Sequence, residues 1–288
     1  MKENTTIIDI SEAYDHLDDE NWAFIDCRFN LSEPRQGFED YKKSHIQGAV
    51  YADLNKDLSG PVTRGKTGRH PLPDKEMLIE TFSRFGIDDQ VQVVAYDESS
   101  GYMAAARLWW LLKWAGHEAV VVLNKGFRGW MKSGFPISSG VDHRQPRRFN
   151  ANFNHKMVVD AGQVMAVLHD PNFLILDSRS SDRYRGENET IDPVAGHIPG
   201  AITAPFTDNL NPDGSFKTPG ELNTRFAKLI IDKDANHNIF YCGSGVTAAH
   251  NVLAFVHAGN NLPILYPGSW SDWITDPDRP IAKGEAAG

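Results

Sequence analysis

Four sequence blocks occur twice in this chain in the same order, and that duplication limits its fold more than any other feature. Ala23-Phe24-Ile25-Asp26-Cys27-Arg28 is a short apolar run closing on Asp, a small residue and Arg, and Leu174-Ile175-Leu176-Asp177-Ser178-Arg179 repeats it. Ser44-His45-Ile46-Gln47-Gly48-Ala49-Val50 is matched by Gly196-His197-Ile198-Pro199-Gly200-Ala201-Ile202. Val93-Val94-Ala95-Tyr96-Asp97 is matched by Asn238-Ile239-Phe240-Tyr241-Cys242, and the aromatic pair Phe127 and Trp130 by Trp270 and Trp273. The offset stays at about 150 residues across all four blocks. A chain of 288 residues so arranged folds as two domains of ordinary size.

Within each half, apolar runs alternate with helical spacing, which predicts an α/β domain: a largely parallel sheet flanked by helices. Helices are expected over 76–85, 103–114, 222–229 and 247–257, and strands over 91–96, 119–123, 238–241 and 263–266. The stretch 138–148 is polar and contains Gly140 and Pro146, so it reads as a linker leading into an extended crossing at 149–153. The expected division is a first domain over 1–140, a linker over 141–156 and a second domain over 157–288.

Lys and Arg number 29 against 38 Asp and Glu, a net charge of −9, so the basic face that nucleic acid requires is not expected. The most apolar stretch, around 104–112, falls far short of the ~20 residues a membrane-spanning helix needs. The amino terminus lacks the apolar centre of a signal peptide, which points to the cytoplasm. Two cysteines cannot build a disulfide scaffold or a four-thiolate metal site, and the eleven histidines are scattered, so no metal and no cofactor is expected.

The chemistry concentrates at Cys242. An apolar strand ends there, Gly243-Ser244-Gly245 follows, and Val246-Thr247 leads into the helix over 247–257. A strand, a tight glycine loop and a helix N-terminus bring backbone N–H groups together and favour an anion, either a thiolate or a bound oxyanion. The first half carries Asp97-Glu98-Ser99-Ser100-Gly101 at the same place, so it keeps the fold without the nucleophile. Cysteine phosphatases use a similar loop but need an arginine six positions after the cysteine; Ala248 stands there.

Two tandem Asp-x-Arg … Gly-His-Ile-Pro-Gly-Ala units with one cysteine loop resemble the two-domain rhodanese sulfurtransferases, from about residue 7 to residue 281. The loop Cys242-Gly243-Ser244-Gly245-Val246-Thr247 resembles that of the branch acting on 3-mercaptopyruvate. Thiosulfate-using relatives place two basic residues after the cysteine, where this chain has Gly243 and Ser244. The resemblance implies that Cys242 takes sulfur from a small donor as a persulfide and passes it to a thiol acceptor, such as a thioredoxin-like protein, or to cyanide. Thiosulfate as donor is the near alternative. A non-catalytic rhodanese-like binding module is more remote, because it would be expected to have lost the cysteine.

The same resemblance implies that Arg183, in Ser180-Ser181-Asp182-Arg183-Tyr184-Arg185-Gly186, binds the donor's carboxylate. Many relatives carry a further arginine before the Gly-His-Ile-Pro-Gly block. The stretch 187–195 has none, which leaves Arg185 as the substitute. Gly68-Arg69-His70-Pro71-Leu72-Pro73 resembles a first-domain segment that reaches the cysteine, with His70 and Ser244 as a proton relay. The relay's acid falls at Asn55, with Asp57 two residues on. His45, His197 and the Asp26–Arg28 and Asp177–Arg179 pairs occur in both halves, so they read as structural. Trp109, Trp110 and Trp114 read as core and domain interface, and Cys27 as a partly buried thiol.

Overall fold

The computed structural model describes residues 6–101, 104–230 and 237–285, and the chain divides into two compact units. The first takes the described residues up to 60 together with 73–154 and 212–216. The second takes 61–72, 155–211 and the described residues from 217 onward. Each unit therefore includes a short segment from the other half of the sequence.

In the first unit the strands are β1 (Ile7–Ile8), β2 (Trp22–Asp26), β3 (His45–Ile46), β4 (Val50–Tyr51), β5 (Gln92–Tyr96), β6 (Val120–Leu123) and β7 (Ile137–Ser138). Its helices are α1 (Ile10–Asp15), α2 (Gln36–Lys43), α3 (Lys75–Arg84), α4 (Ala105–Trp114) and α5 (Gly126–Lys132). Five strands form a parallel sheet in the order β1-β6-β5-β2-β4, while β3 and β7 pair antiparallel beside it. In the second unit β8 (Leu174–Asp177), β9 (Ala201–Thr203), β10 (Asn238–Tyr241) and β11 (Ile264–Leu265) form a parallel sheet in the order β11-β10-β8-β9. Its helices are α6 (Ala161–Val167), α7 (Ser181–Arg185), α8 (Pro219–Leu229), α9 (Thr247–His257) and α10 (Ser269–Trp273).

The expected α/β architecture is present in both units. Helix-covered parallel strands are buried on both faces, so they read as unbroken apolar runs, and every residue of β6 and β10 is buried. Helix starts follow local chemistry. Asp74 accepts the Met77 N–H at the start of α3, and capping boxes pair Asp160 with Gln163 and Thr218 with Glu221, the latter followed by Pro219. The helix expected over 103–114 begins at Ala105, and Met103 lies outside the described residues. All ten residues of α4 are buried, Trp109, Trp110 and Trp114 among them.

The residues shared by both halves are structural. Arg28 Nη2 pairs with Asp26 at 2.7 Å and donates to the Ser44 carbonyl at 2.6 Å. Arg179 Nη2 pairs with Asp177 at 2.6 Å and donates to the Gly196 carbonyl at 2.7 Å. Phe127 lies under the first guanidinium at 4.1 Å and Trp270 under the second at 4.9 Å, which accounts for the repeated aromatic position. His45 Nδ1 meets the Tyr41 carbonyl, and His197 Nδ1 the Tyr184 carbonyl, each at 2.8 Å.

From β8 the chain passes to β9 on one side and then crosses to β10 on the other. Strand order reverses there, and the crevice beyond the carboxyl ends of such a strand pair is where open α/β sheets bind ligands. Ser178, Arg179 and Cys242 all follow those two strand ends. Because Asp177 is wholly buried, Arg179→Met is expected to cost about 3–5 kcal/mol in a urea unfolding curve. Adding Asp177→Asn should recover much of that loss.

Candidate active site

Hydrogen bonds to the α10 region fix the end of β10. The Cys242 N–H donates to Ser269 Oγ at 3.1 Å, and its carbonyl accepts the Trp270 N–H at 2.9 Å. The Gly243 carbonyl accepts the Ser271 N–H at 2.9 Å. Ser269 has φ +57°, a left-handed conformation unusual for a residue with a side chain, and its Oγ donates in turn to the Tyr266 carbonyl at 2.9 Å. At Gly245 φ is +77°, and a Cβ there would lie 2.3 Å from the Pro267 carbonyl oxygen, so only glycine fits. That conformation turns the Gly245 N–H onto Cys242 Sγ at 3.2 Å. Val246 and Thr247 lead into α9, whose N-terminal dipole lies behind the buried sulfur.

His70 and Arg69, both in the second unit, belong to this site. His70 Nδ1 and Ser244 Oγ are 2.8 Å apart, and both residues are buried. The Arg69 N–H donates to Ser271 Oγ at 3.0 Å, and its guanidinium forms an ion pair with Asp192. Arg183 holds the other Asp192 oxygen at 3.1 Å and grips Glu189 through Nε and Nη2, both at 3.0 Å. Burial pushes the Asp192 carboxyl up, an effect that Arg69 partly opposes. Burial acts the same way on Glu189, but the N–H groups of Asp192 and Ile191 and the Arg183 guanidinium hold it below the usual carboxylate range.

Comparison with known proteins agrees with this geometry. A model of the rhodanese-like domain matches residues 9–133 and again 160–276. The chain belongs to the rhodanese family. It is 46% identical over 270 residues to a Pseudomonas aeruginosa protein named "Probable 3-mercaptopyruvate sulfurtransferase", covering 93% of this chain and 95% of that one. It is 33% identical to the rat thiosulfate sulfurtransferase, covering 91% and 89%. The crystal structure of SseA from Escherichia coli, described as a 3-mercaptopyruvate sulfotransferase, superposes with a TM-score of 0.80 at 32% identity, covering 93% of this chain and all of that one.

The first rhodanese unit uses the same backbone bonds around a different side chain. The Asp97 carbonyl accepts the Phe127 N–H at 2.8 Å and the Glu98 carbonyl the Arg128 N–H at 3.2 Å, matching the bonds of Cys242 and Gly243. Asp97 Oδ1 accepts the N–H groups of Ser99 at 3.1 Å and Gly101 at 3.0 Å. A carboxylate therefore fills the cradle that the sulfur occupies in the second unit.

Other expected residues lie elsewhere. Arg185 pairs with Glu187 at 2.8 Å and Glu285 at 3.8 Å. Asp57 accepts from the Asp53 N–H and from Arg84, and the exposed Asn55 donates its N–H to Asp53. Arg69 carries no motif of its own. The signals for it are its place beside His70 and the absence of arginine from 187–195. Among the described residues no cluster of histidine, cysteine or carboxylate could hold a metal ion, and no helix is long and apolar enough to cross a membrane.

Cys27 is fully buried, and burial together with the carboxylates of Asp26, Asp97 and Asp57 pushes its thiol well up. Iodoacetamide at pH 8 should leave Cys27 unmodified in the native protein and label it after denaturation, as read by peptide mass spectrometry. Labelling of the native protein at Cys27 would contradict this environment.

Proposed function

We propose that this rhodanese moves sulfur from 3-mercaptopyruvate to a thiol acceptor through a persulfide on Cys242. The observation that carries this reading is the Cys242 loop, where the sulfur accepts the Gly245 N–H at the entrance of α9 beside the Ser244–His70 pair. In the first step the thiolate attacks the donor's sulfur. An S–S bond forms, the donor's C–S bond breaks, and the electron pair stays on carbon as the enolate of pyruvate. Ser244, backed by His70, delivers the proton that converts the enolate to pyruvate. The loop donor and the helix dipole stabilise the thiolate before the step and the persulfide anion after it. An acceptor thiolate then attacks the outer sulfur and frees Cys242; cyanide as acceptor leaves as thiocyanate. Free thiol chemistry of this kind suits a reducing compartment such as the cytoplasm.

Arg183 binds the donor's carboxylate in this reading, and the uncharged Gly243 and Ser244 favour a mercapto-acid. Thiosulfate is the second reading, and one observation favours it. Arg69 and Arg183 both approach Gly243, so the absence of basic residues from the loop does not leave the site without cations.

Brief exposure to 3-mercaptopyruvate should add one sulfur atom to the peptide bearing Cys242, and kcat/KM for this donor should exceed that for thiosulfate. Cys242→Ser should reduce turnover to background while Asp97→Ala retains it. Turnover by the serine variant would put the nucleophile elsewhere, and a reversed donor preference would favour the thiosulfate reading.

A further inference from the structure

Hydrogen bonds from the α10 region hold the Cys242–Gly243 backbone at three atoms, and two of these bonds have counterparts in the first unit. The third is made by a side chain. Ser269 Oγ accepts the Cys242 N–H at 3.1 Å and donates to the Tyr266 carbonyl at 2.9 Å. The repeat sets Gly126 opposite Ser269, each directly before one of the matched aromatics Phe127 and Trp270. Both positions are left-handed, with φ +54° and +57°. A Cβ on Gly126 would lie 1.7 Å from the Ser99 carbonyl oxygen, so the first unit has no room for a side chain there. The second unit keeps a wholly buried serine in a conformation that glycine adopts at less cost. What the serine adds is its pair of hydrogen bonds, one of them to the amide of Cys242 itself.

Building on the sulfurtransferase reading, we propose that Ser269 is a positioning residue, which fixes the backbone of Cys242 so that the sulfur stays on the Gly245 N–H. Amide and sulfur belong to one residue, so a swing of that peptide would carry the sulfur off its donor. The two units differ in how much they need such a hold. Asp97 Oδ1 is anchored by two loop N–H groups, at 3.0 and 3.1 Å, whereas Cys242 Sγ accepts one at 3.2 Å. A sulfur with a single loop donor depends on the placement of its own backbone, and a shift of about 1 Å in a reacting atom can cost about a hundredfold in rate. The serine accepts backbone strain and in return keeps the nucleophile in register.

The test compares Ser269→Gly with Ser269→Ala in the full chain. Both remove the hydroxyl, but glycine also relieves the left-handed strain, so Ser269→Ala should melt about 2–4 °C below Ser269→Gly. Turnover of 3-mercaptopyruvate should nevertheless fall about ten- to a hundredfold in both variants, through kcat. Alkylation of Cys242 by iodoacetamide, followed by peptide mass spectrometry, should slow about tenfold at pH 7 in both. It should return to the wild-type rate at high pH, because the thiolate loses stabilisation while access to the sulfur does not change. Turnover that follows Tm, with Ser269→Gly near wild type, would make the serine a structural residue and overturn the proposal. So would an unchanged alkylation profile. Failure of wild-type Cys242 to gain sulfur from any donor would instead overturn the sulfurtransferase reading, and the alkylation profile would still decide the role of Ser269.

Discussion

Arg179 is a buried cation, and the arrangement of the second unit follows from the need to neutralise it. An unpaired charge at that depth costs several kcal/mol, so the guanidinium must be met on each side. Asp177 meets it from the end of β8, the Gly196 carbonyl from the repeated histidine block, and the Trp270 ring from α10. Its remaining nitrogen reaches Glu189 at 3.3 Å. Glu189 holds Arg183, Arg183 holds Asp192, and Asp192 holds Arg69. One line of alternating charge thus connects the strand-end ion pair to the cations beside Gly243. Residues that position the strands and the guanidiniums nearest Gly243 belong to the same network.

The two units also separate what the backbone provides from what a side chain adds. Both loops take hydrogen bonds onto the same two carbonyls, from α5 in the first unit and α10 in the second, and the side chain that ends the strand accepts from its own loop, two N–H groups at Asp97 and one at Cys242. A carboxylate uses up the cradle for its own stability, whereas a thiolate can react from it. The fold supplies the cradle, and a single side chain decides whether it does chemistry.

Much of this was legible in the sequence because its signals are local or repeated. The observed β10 and α9 have the expected limits, 238–241 and 247–257, since an unbroken apolar run and a glycine-bounded helix are unambiguous. Among the two-residue strands, β11 lies within the expected run 263–266, whereas β1, β3, β4 and β7 have no periodicity to read and only pairing defines them. Arg183 and Arg185 are alike in sequence, but two positions along a helix is more than half a turn, so they point to different partners. The ion pair of Arg69 with Asp192 joins residues far apart in the chain, and no short-range pattern announces it. Gly243 stands where thiosulfate-using relatives carry a basic residue, but no short-range pattern shows that the Arg69 and Arg183 guanidiniums approach it.

The reciprocal membership of residues 61–72 and 212–216 bears on how such a chain can evolve. Duplication gives two copies that could drift apart or be shed separately. Once the first copy contributes His70 and Arg69 to the unit bearing Cys242, and the second contributes 212–216 to the other unit, neither half is whole alone. A gene trimmed to its second half would encode Cys242 without the histidine that meets Ser244. The exchange works as a ratchet: the half whose loop carries Asp97 is retained because residues that complete the Cys242 loop's surroundings are encoded within it.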